Sequence, residues 1–282
     1  LMNLIIKKIL PIILFVFCIF SIPISWALEN YIGELFITDK PISLYTATQA
    51  KKEEVNKKEI NSIFWQITDL DGKEHYLFGT IHTDDNRVSN FHPIVFEKLR
   101  EIDIFVMETN EILDRSILHV DPKLYIGHLD EEELEKINLL ADFHTMPREN
   151  ILSMKPWLLA VIFDSPRPIT PFNQDNLLKS KAEDYMKITQ GLESPYEHFK
   201  ALDDFTIEEQ MALLKSVLKK NLEQKELNYD LLMSAYLTFD TENILSTDSK
   251  LTKELVSEAT WKKMELNFLV KRNKLFGERI LE

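Results

Sequence analysis

Tyr76-Leu77-Phe78-Gly79-Thr80-Ile81-His82, followed by Ile104-Phe105-Val106-Met107-Glu108, is the stretch that decides the fold. Each is a short apolar run that stops on a metal- or proton-handling side chain. A polar loop, Thr83 to Asn90, and a helical segment, Phe91 to Arg100, lie between them. Strand, loop, helix and strand of this length predict a parallel crossover unit, which needs a connection of a dozen or more residues. Both strands then point the same way, and His82 and Glu108 emerge at the carboxyl edge of the sheet, where open α/β sheets place their ligands.

Working outward, Ile63-Phe64-Trp65-Gln66-Ile67 reads as a strand and Asp71-Gly72 as a tight turn, with Glu74 to Phe78 returning as the partner of a hairpin. Asn90 is placed to cap the crossover helix, which has Pro93 near its first turn and Ile94, Val95, Leu99 and Ile102 on its apolar side. Downstream the pattern is almost wholly helical. Asp130 precedes an acidic first turn, Glu131-Glu132-Glu133, and Pro156-Trp157 opens a helix in the apolar stretch Ile151 to Phe163. Gln174 to Ile188 is expected to be helical, ending before Gly191. Thr206-Ile207-Glu208-Glu209 has the form of a capping box, with Met211, Leu214, Val217, Leu218 and Leu222 at helical spacing behind it. Trp261 to Leu281 reads as a last amphipathic helix. The expected fold is therefore α/β (α+β): a small mixed sheet with an N-terminal hairpin and a βαβ unit, carrying a large helical insertion.

The N-terminus reads as a targeting segment. Lys7 and Lys8 form a positive region, Ile9 to Ile22 an apolar one, and Ser25-Trp26-Ala27 offers small residues where a signal peptidase cuts. An apolar run of about fourteen residues is short of the roughly twenty that span a bilayer. The expected division is a signal peptide over 1–27, a lead-in over 28–61 that includes the charged stretch Lys51 to Glu59, and one domain over 62–282. Such a chain is exported, to the periplasm or beyond, with no stable membrane span after cleavage; an uncleaved N-terminal anchor is the alternative. Cys18, the single cysteine, falls inside the apolar run, so the mature chain has none and depends on an ordinary core. The net charge is −13, and −15 once Lys7 and Lys8 are removed. That acidity argues against a nucleic-acid partner, which needs clustered Lys and Arg.

Three motifs carry candidate chemistry, each beside a plainer reading. In Gly79-Thr80-Ile81-His82, glycine gives the backbone access to conformations closed to other residues, and the histidine three positions on is displayed at the rim to bind metal or move a proton. The plainer reading is a strand-ending glycine and a partly buried histidine bonded to backbone. Glu108 follows a strand apolar on both faces, where a charge is costly unless paired or metal-bound; a cap, or an ion pair with Arg87, Arg115 or Arg148, is its alternative. Gly191-Leu192-Glu193 repeats glycine, apolar step and acid between two helices, or marks a helix stop followed by a loop carboxylate. Asp84 and Asp85 supply either a ligand or Asx turns. His75, His92, His119, His128, His144 and His198 show no recognised ligand spacing. No zincin, serine-hydrolase or phosphate-loop motif is present.

Taken in order, these pieces resemble the TraB/GumN family, which includes the TIKI metalloproteases, from about Ile63 to Leu281. The resemblance rests on Ile63-Phe64-Trp65-Gln66-Ile67, Leu77 to His82, Val106-Met107-Glu108, Pro156-Trp157, Gly191-Leu192-Glu193 and Arg272-Asn273. It implies metal-dependent chemistry at the Gly-x-x-His histidine and the strand-end glutamate, with peptide hydrolysis in the TIKI branch. It also implies a further strand with a second Gly-x-x-His after the Arg-Asn helix; the chain given ends at Glu282, after that helix.

The reading that results is a metal-dependent hydrolase of peptidase type. His82 and Glu108 are metal ligands, Glu108 and Glu193 the catalytic acids, and Gly79, Thr80, Gly191 and Arg272 the structural residues of the motifs. The partner is a peptide or protein substrate. A mixed His/carboxylate set suits Mn²⁺, Co²⁺ or Zn²⁺. A non-catalytic secreted binding or effector protein on the same scaffold is the alternative.

Overall fold

The computed structural model describes residues 12–17, 36–41, 62–110 and 115–280. The n-region lysines, the Ser25-Trp26-Ala27 site, Cys18 and the Lys51–Glu59 stretch lie outside them. Six strands form one mixed sheet: β1 (Ile12–Phe17), β2 (Phe36–Pro41), β3 (Phe64–Asp69), β4 (Glu74–Thr80), β5 (Ile104–Met107) and β6 (Ile188–Gly191), in the order β2-β3-β4-β1-β5-β6. β2, β3 and β4 run antiparallel, whereas β1 is parallel to both β4 and β5, and β6 is parallel to β5.

The hairpin forms where the sequence predicts it. Gly72 supplies a φ of 79° at the turn, and the Asp69 carboxylate accepts from the amides of Asp71 (2.9 Å) and Lys73 (2.8 Å). β4 and β5 are parallel as the crossover requires, but they are not neighbours. Ile12–Phe17, part of the run read as a signal h-region, lies between them and pairs with both. Leu14 is level with Leu77 on one side and Val106 on the other, so Glu108, two residues on from Val106, falls level with Gly79.

The pleat sorts β3, β4 and β5 into two buried faces, since successive side chains point to opposite sides. Phe64, Tyr76, Phe78, Phe105 and Met107 pack with Val95, Leu99 and Ile102, with Leu178 and Ala182, and with Met233 and Tyr236. Trp65, Ile67, Leu77 and Val106 pack on the other face against Leu192 and Phe276. A separate core, built on Tyr125, Ile137, Ile151, Leu159, Phe163, Met211 and Leu214, holds the helical insertion together.

Two local expectations are corrected. The crossover helix, Pro93–Glu101, is capped by His92, whose Nδ1 accepts from the Ile94 amide at 3.3 Å, rather than by Asn90. A short helix, Asn86–Ser89, occupies the polar loop before it, capped by Asp85. The helix expected over Gln174 to Ile188 ends at Asp184, and Ile188–Gly191 turns back into the sheet as β6. The capping boxes Asp130/Glu133 and Thr206/Glu209 both form, as do helices Glu131–Phe143, Pro156–Asp164 and Ile207–Lys219. The final helical stretch runs as Glu258–Met264, a π-helical segment Glu265–Lys271, and Arg272–Ile280. Among the described residues no helix is long and apolar enough to cross a membrane.

Candidate functional site

β5 and β6 bring two acids together. The ladder continues past both strand ends, with the Leu192 amide donating to the Met107 carbonyl and the Glu193 amide to the Glu108 carbonyl, each at 2.8 Å. This approach depends on Gly191, because a Cβ there would stand 2.8 Å from the Asn110 backbone nitrogen. Gly191 is therefore a close-packing glycine at the end of the edge strand β6, not the helix stop of the plainer reading. Glu108 and Glu193 are each 5% exposed.

Their common partner is Arg272, which opens the last helix directly after the π-helical segment. Its Nη2 donates to Glu108 Oε2 at 2.5 Å and its Nε to Glu193 Oε1 at 3.0 Å, with Nη2 also bonded to Glu193. The ion-pair alternative for Glu108 thus holds, with a different arginine from those expected. Arg87 pairs with Asp85 and Asp230, and Arg148 with Asp142.

His198 completes the cluster from the helix Pro195–Asp203. Its Nδ1 lies 2.7 Å from both Glu193 Oε1 and Arg272 Nη2, and 3.9 Å from Glu108 Oε2. Nδ1 donates to the carboxylate or accepts from the guanidinium according to its tautomer. Sequence spacing missed this residue: Glu193 sits in the loop before the helix and His198 on its first turn, so no single helical face relates them. The one usable signal was an acid and a histidine five residues apart across a helix start.

The Pro156-Trp157 motif supports this arrangement from behind. The Trp157 ring stacks on Phe199 with centroids 5.7 Å apart, and Lys155 Nζ and Trp157 Nε1 both donate to Asp203. Arg279, two helical turns on from Arg272 and so on the same face, bonds the Leu192 carbonyl and the Glu197 carboxylate. Two arginines of one helix thereby clamp the loop that carries Glu193.

The two acids are not equivalent. Burial pushes the Glu108 carboxyl up, and the pull of Arg272 and His198 does not cancel it. Burial also works to raise Glu193, but hydrogen bonds from His198 and Arg272 outweigh it and hold that carboxyl below the usual range. Arg272 is itself raised, because two carboxylates oppose the cost of burying its charge. Splitting the proton affinities of a close acid pair is the pattern by which sites separate a proton carrier from a fixed anion.

Glu108, Glu193 and His198 each offer one ligand atom, all within 4.8 Å of one another. At metal–ligand distances of about 2.0–2.2 Å two ligand atoms stand at most about 4.4 Å apart, so a small contraction brings this set to a divalent ion. Two hard oxygens and a borderline nitrogen suit such a cation chemically. It would take over oxygen lone pairs that Arg272 now holds.

The Gly79–His82 motif is held elsewhere on the same edge. His82 Nδ1 lies 2.6 Å from Asp175 Oδ2, and Thr80 Oγ1 donates to the other oxygen of Asp175 at 2.6 Å. The Ile81 amide donates to Gln174 Oε1 at 2.8 Å, and Tyr236 OH donates to the Gly79 carbonyl at 2.8 Å. Gly79 lies within β4 without a positive φ, and a Cβ there would meet only ordinary contacts with Ile63, the nearest at 3.6 Å. The backbone freedom expected of Gly79 is therefore not used. His82 is not one of the three residues of the close cluster. Asp84 accepts from the Ile169 and Thr170 amides and Asp85 caps a helix, so both serve the backbone.

A mixed α/β scaffold with a buried carboxylate–imidazole–guanidinium cluster at its sheet edge is the class of protein this describes. The sequence profile of the TraB/PrgY/gumN family matches residues 63–282, and the chain belongs to that family. Neither a curated protein nor a solved structure matches the chain.

Proposed function

We propose that the protein is an exported metal-dependent hydrolase of peptidase type, whose metal is held by Glu108, Glu193 and His198. The observation that carries the reading is the convergence of these three donors on one spot, 5% exposed at both acids. A bound divalent ion would supply a water of lowered pKa and a Lewis acid for a carbonyl. Glu108 and Glu193 anchor the charge of the site, and Arg272 faces both as a donor for negative charge developing on a substrate. His82, on the same sheet edge, presents an imidazole from a second position. Calorimetric titration with Mn²⁺, Co²⁺ and Zn²⁺ tests the site: saturable binding lost in Glu193→Gln and His198→Ala is expected, together with metal-dependent cleavage of an unstructured protein. Absence of any divalent binding overturns the assignment.

A second reading is favoured by Arg272 itself. Its guanidinium already satisfies both acids, which suits a non-catalytic binding or effector protein whose cluster is a buried ion network. Full stability and no metal binding after exhaustive chelation is the result that selects it.

For location, Lys7-Lys8, the apolar run and Ser25-Trp26-Ala27 support export with cleavage after Ala27. Cleavage removes Ile12–Phe17 from between β4 and β5. Amino-terminal sequencing of the exported product decides this: a chain beginning at Leu28 is expected, and one that retains Lys7 and Lys8 contradicts it.

A further inference from the structure

We infer that Asp175 is a positioning residue for His82, holding the imidazole by Nδ1 and turning Nε2 outward as its working nitrogen. The inference deepens the proposed hydrolase, in that it assigns how the His82 imidazole is set for ligation or proton transfer there. It rests, however, on contacts separate from the Glu108 cluster.

The pair is unequal in a way that an ordinary ion pair is not. The His82 side chain is 40% exposed, while that of Asp175 is 10% exposed. Asp175 is fixed without help from His82. Thr80 Oγ1 donates to its Oδ1, and it sits in the first turn of the Gln174–Asp184 helix, capped by Asn173. That position favours a negative charge through the unpaired amides of the helix start. Thr80 thus occupies one oxygen of the carboxylate, and the other, buried and without a hydrogen-bond partner of its own, stands 2.6 Å from His82 Nδ1 as an ion-pair contact. A carboxylate held against one ring nitrogen sets the tautomer and fixes ring orientation, as it does behind metal-binding histidines.

The backbone around His82 is equally constrained. The preceding residue in the helix, Gln174, accepts from the Ile81 amide at 2.8 Å and donates to the Val88 carbonyl at 2.8 Å. Gln174 and Asp175 together thus fix both the main chain and the side chain of the Gly79–His82 motif. The two segments are 93 and 95 residues apart at the contacts involved, so local chain geometry does not produce the pairing.

The test is ¹⁵N NMR of the full chain labelled at histidine, recorded at alkaline pH, with the His82 signals assigned by their loss in His82→Gln. The expected wild-type species is the Nδ1–H tautomer with Nε2 unprotonated. Asp175→Asn is expected to shift the population towards Nε2–H, and Asp175→Glu to restore most of it. An Nε2–H tautomer in the wild type overturns the inference without any variant, and so does an unchanged tautomer in a folded Asp175→Asn protein. Should His82 also ligate metal, Asp175→Asn weakens divalent binding by about 10–100-fold. The expected tautomer with no metal binding at all leaves the Asp175 assignment standing and removes the hydrolase reading instead.

Discussion

The Glu193 amide donates to the Glu108 carbonyl at 2.8 Å, so the two acids leave parallel neighbouring strands side by side. Everything else in the cluster follows from that adjacency. Two carboxylates so placed, each 5% exposed, require a cation, and Arg272 is that cation in the folded chain.

Removing the guanidinium leaves that charge uncompensated. Arg272→Leu is expected to lower the unfolding free energy by about 3–5 kcal/mol, the usual cost of breaking a buried ion pair from one side. Urea denaturation at pH 7 measures it. The loss is expected to shrink as the pH is lowered and the acids take up protons; a loss below about 1 kcal/mol at pH 7 would show that the cluster is not held by charge.

The two motif glycines are expected to respond differently to the same substitution. Gly191→Ala places a methyl 2.8 Å from the Asn110 backbone nitrogen, where neither strand can yield cheaply, and costs about 1–3 kcal/mol. Gly79→Ala meets nothing closer than 3.6 Å and is tolerated within about 1 kcal/mol. Thermal unfolding of the two variants side by side gives the answer, and equal destabilisation contradicts the packing argument.

Asp85 gives the loop after His82 a pH dependence. Hydrogen bonds from Arg87, against the opposing effect of burial, hold its carboxyl down at about 2. A folded-state value below the unfolded value of about 3.9 contributes stability at neutral pH that is lost as the pH falls from about 4 to about 2. Arg87 is 40% exposed, so solvent screening limits the contribution to about 1 kcal/mol. Asp85→Asn keeps a helix-capping side chain and removes the charge. Its deficit, read by denaturation, is expected to be present at pH 7 and absent at pH 2; a deficit that persists at pH 2 would assign the role to capping alone.

Lys225 works in the opposite sense. Its ammonium nitrogen is buried with no hydrogen-bond partner, and burial pushes its pKa down to about 8. A folded value below the unfolded value of about 10.4 means that the stability of the neutral form is full above that value and lost as the pH falls through about 8. At pH 7 the protein carries this cost, so Lys225→Met is expected to stabilise it by about 2 kcal/mol, with the gain fading towards pH 10.5. A gain independent of pH would point to packing instead.

Much of the local structure was legible because its causes are local. Gly72 at the hairpin turn, Pro93 and Pro156 in the first turns of their helices, and the boxes Asp130/Glu133 and Thr206/Glu209 each act over a few residues. β6 was not legible. Ile188-Thr189-Gln190-Gly191 is short and mostly exposed, it reads as the tail of a helix, and only pairing with β5 makes it a strand. Asp175 and His198 were missed for the same reason: each acts through a partner that neither helical nor strand periodicity connects to it.

By itself, the sequence determined the β3–β4 hairpin, the β5 strand and most of the helices, that His82 and Glu108 follow parallel strands, and that an acid after an apolar strand requires a partner. Only the tertiary structure decided the partners: Asp175 for His82, and Arg272, Glu193 and His198 for Glu108. The reason is physical. Propensity and capping are settled between residues within a helical turn or a hairpin, whereas the partners of a buried charge are chosen by sheet pairing and desolvation between segments far apart in the chain.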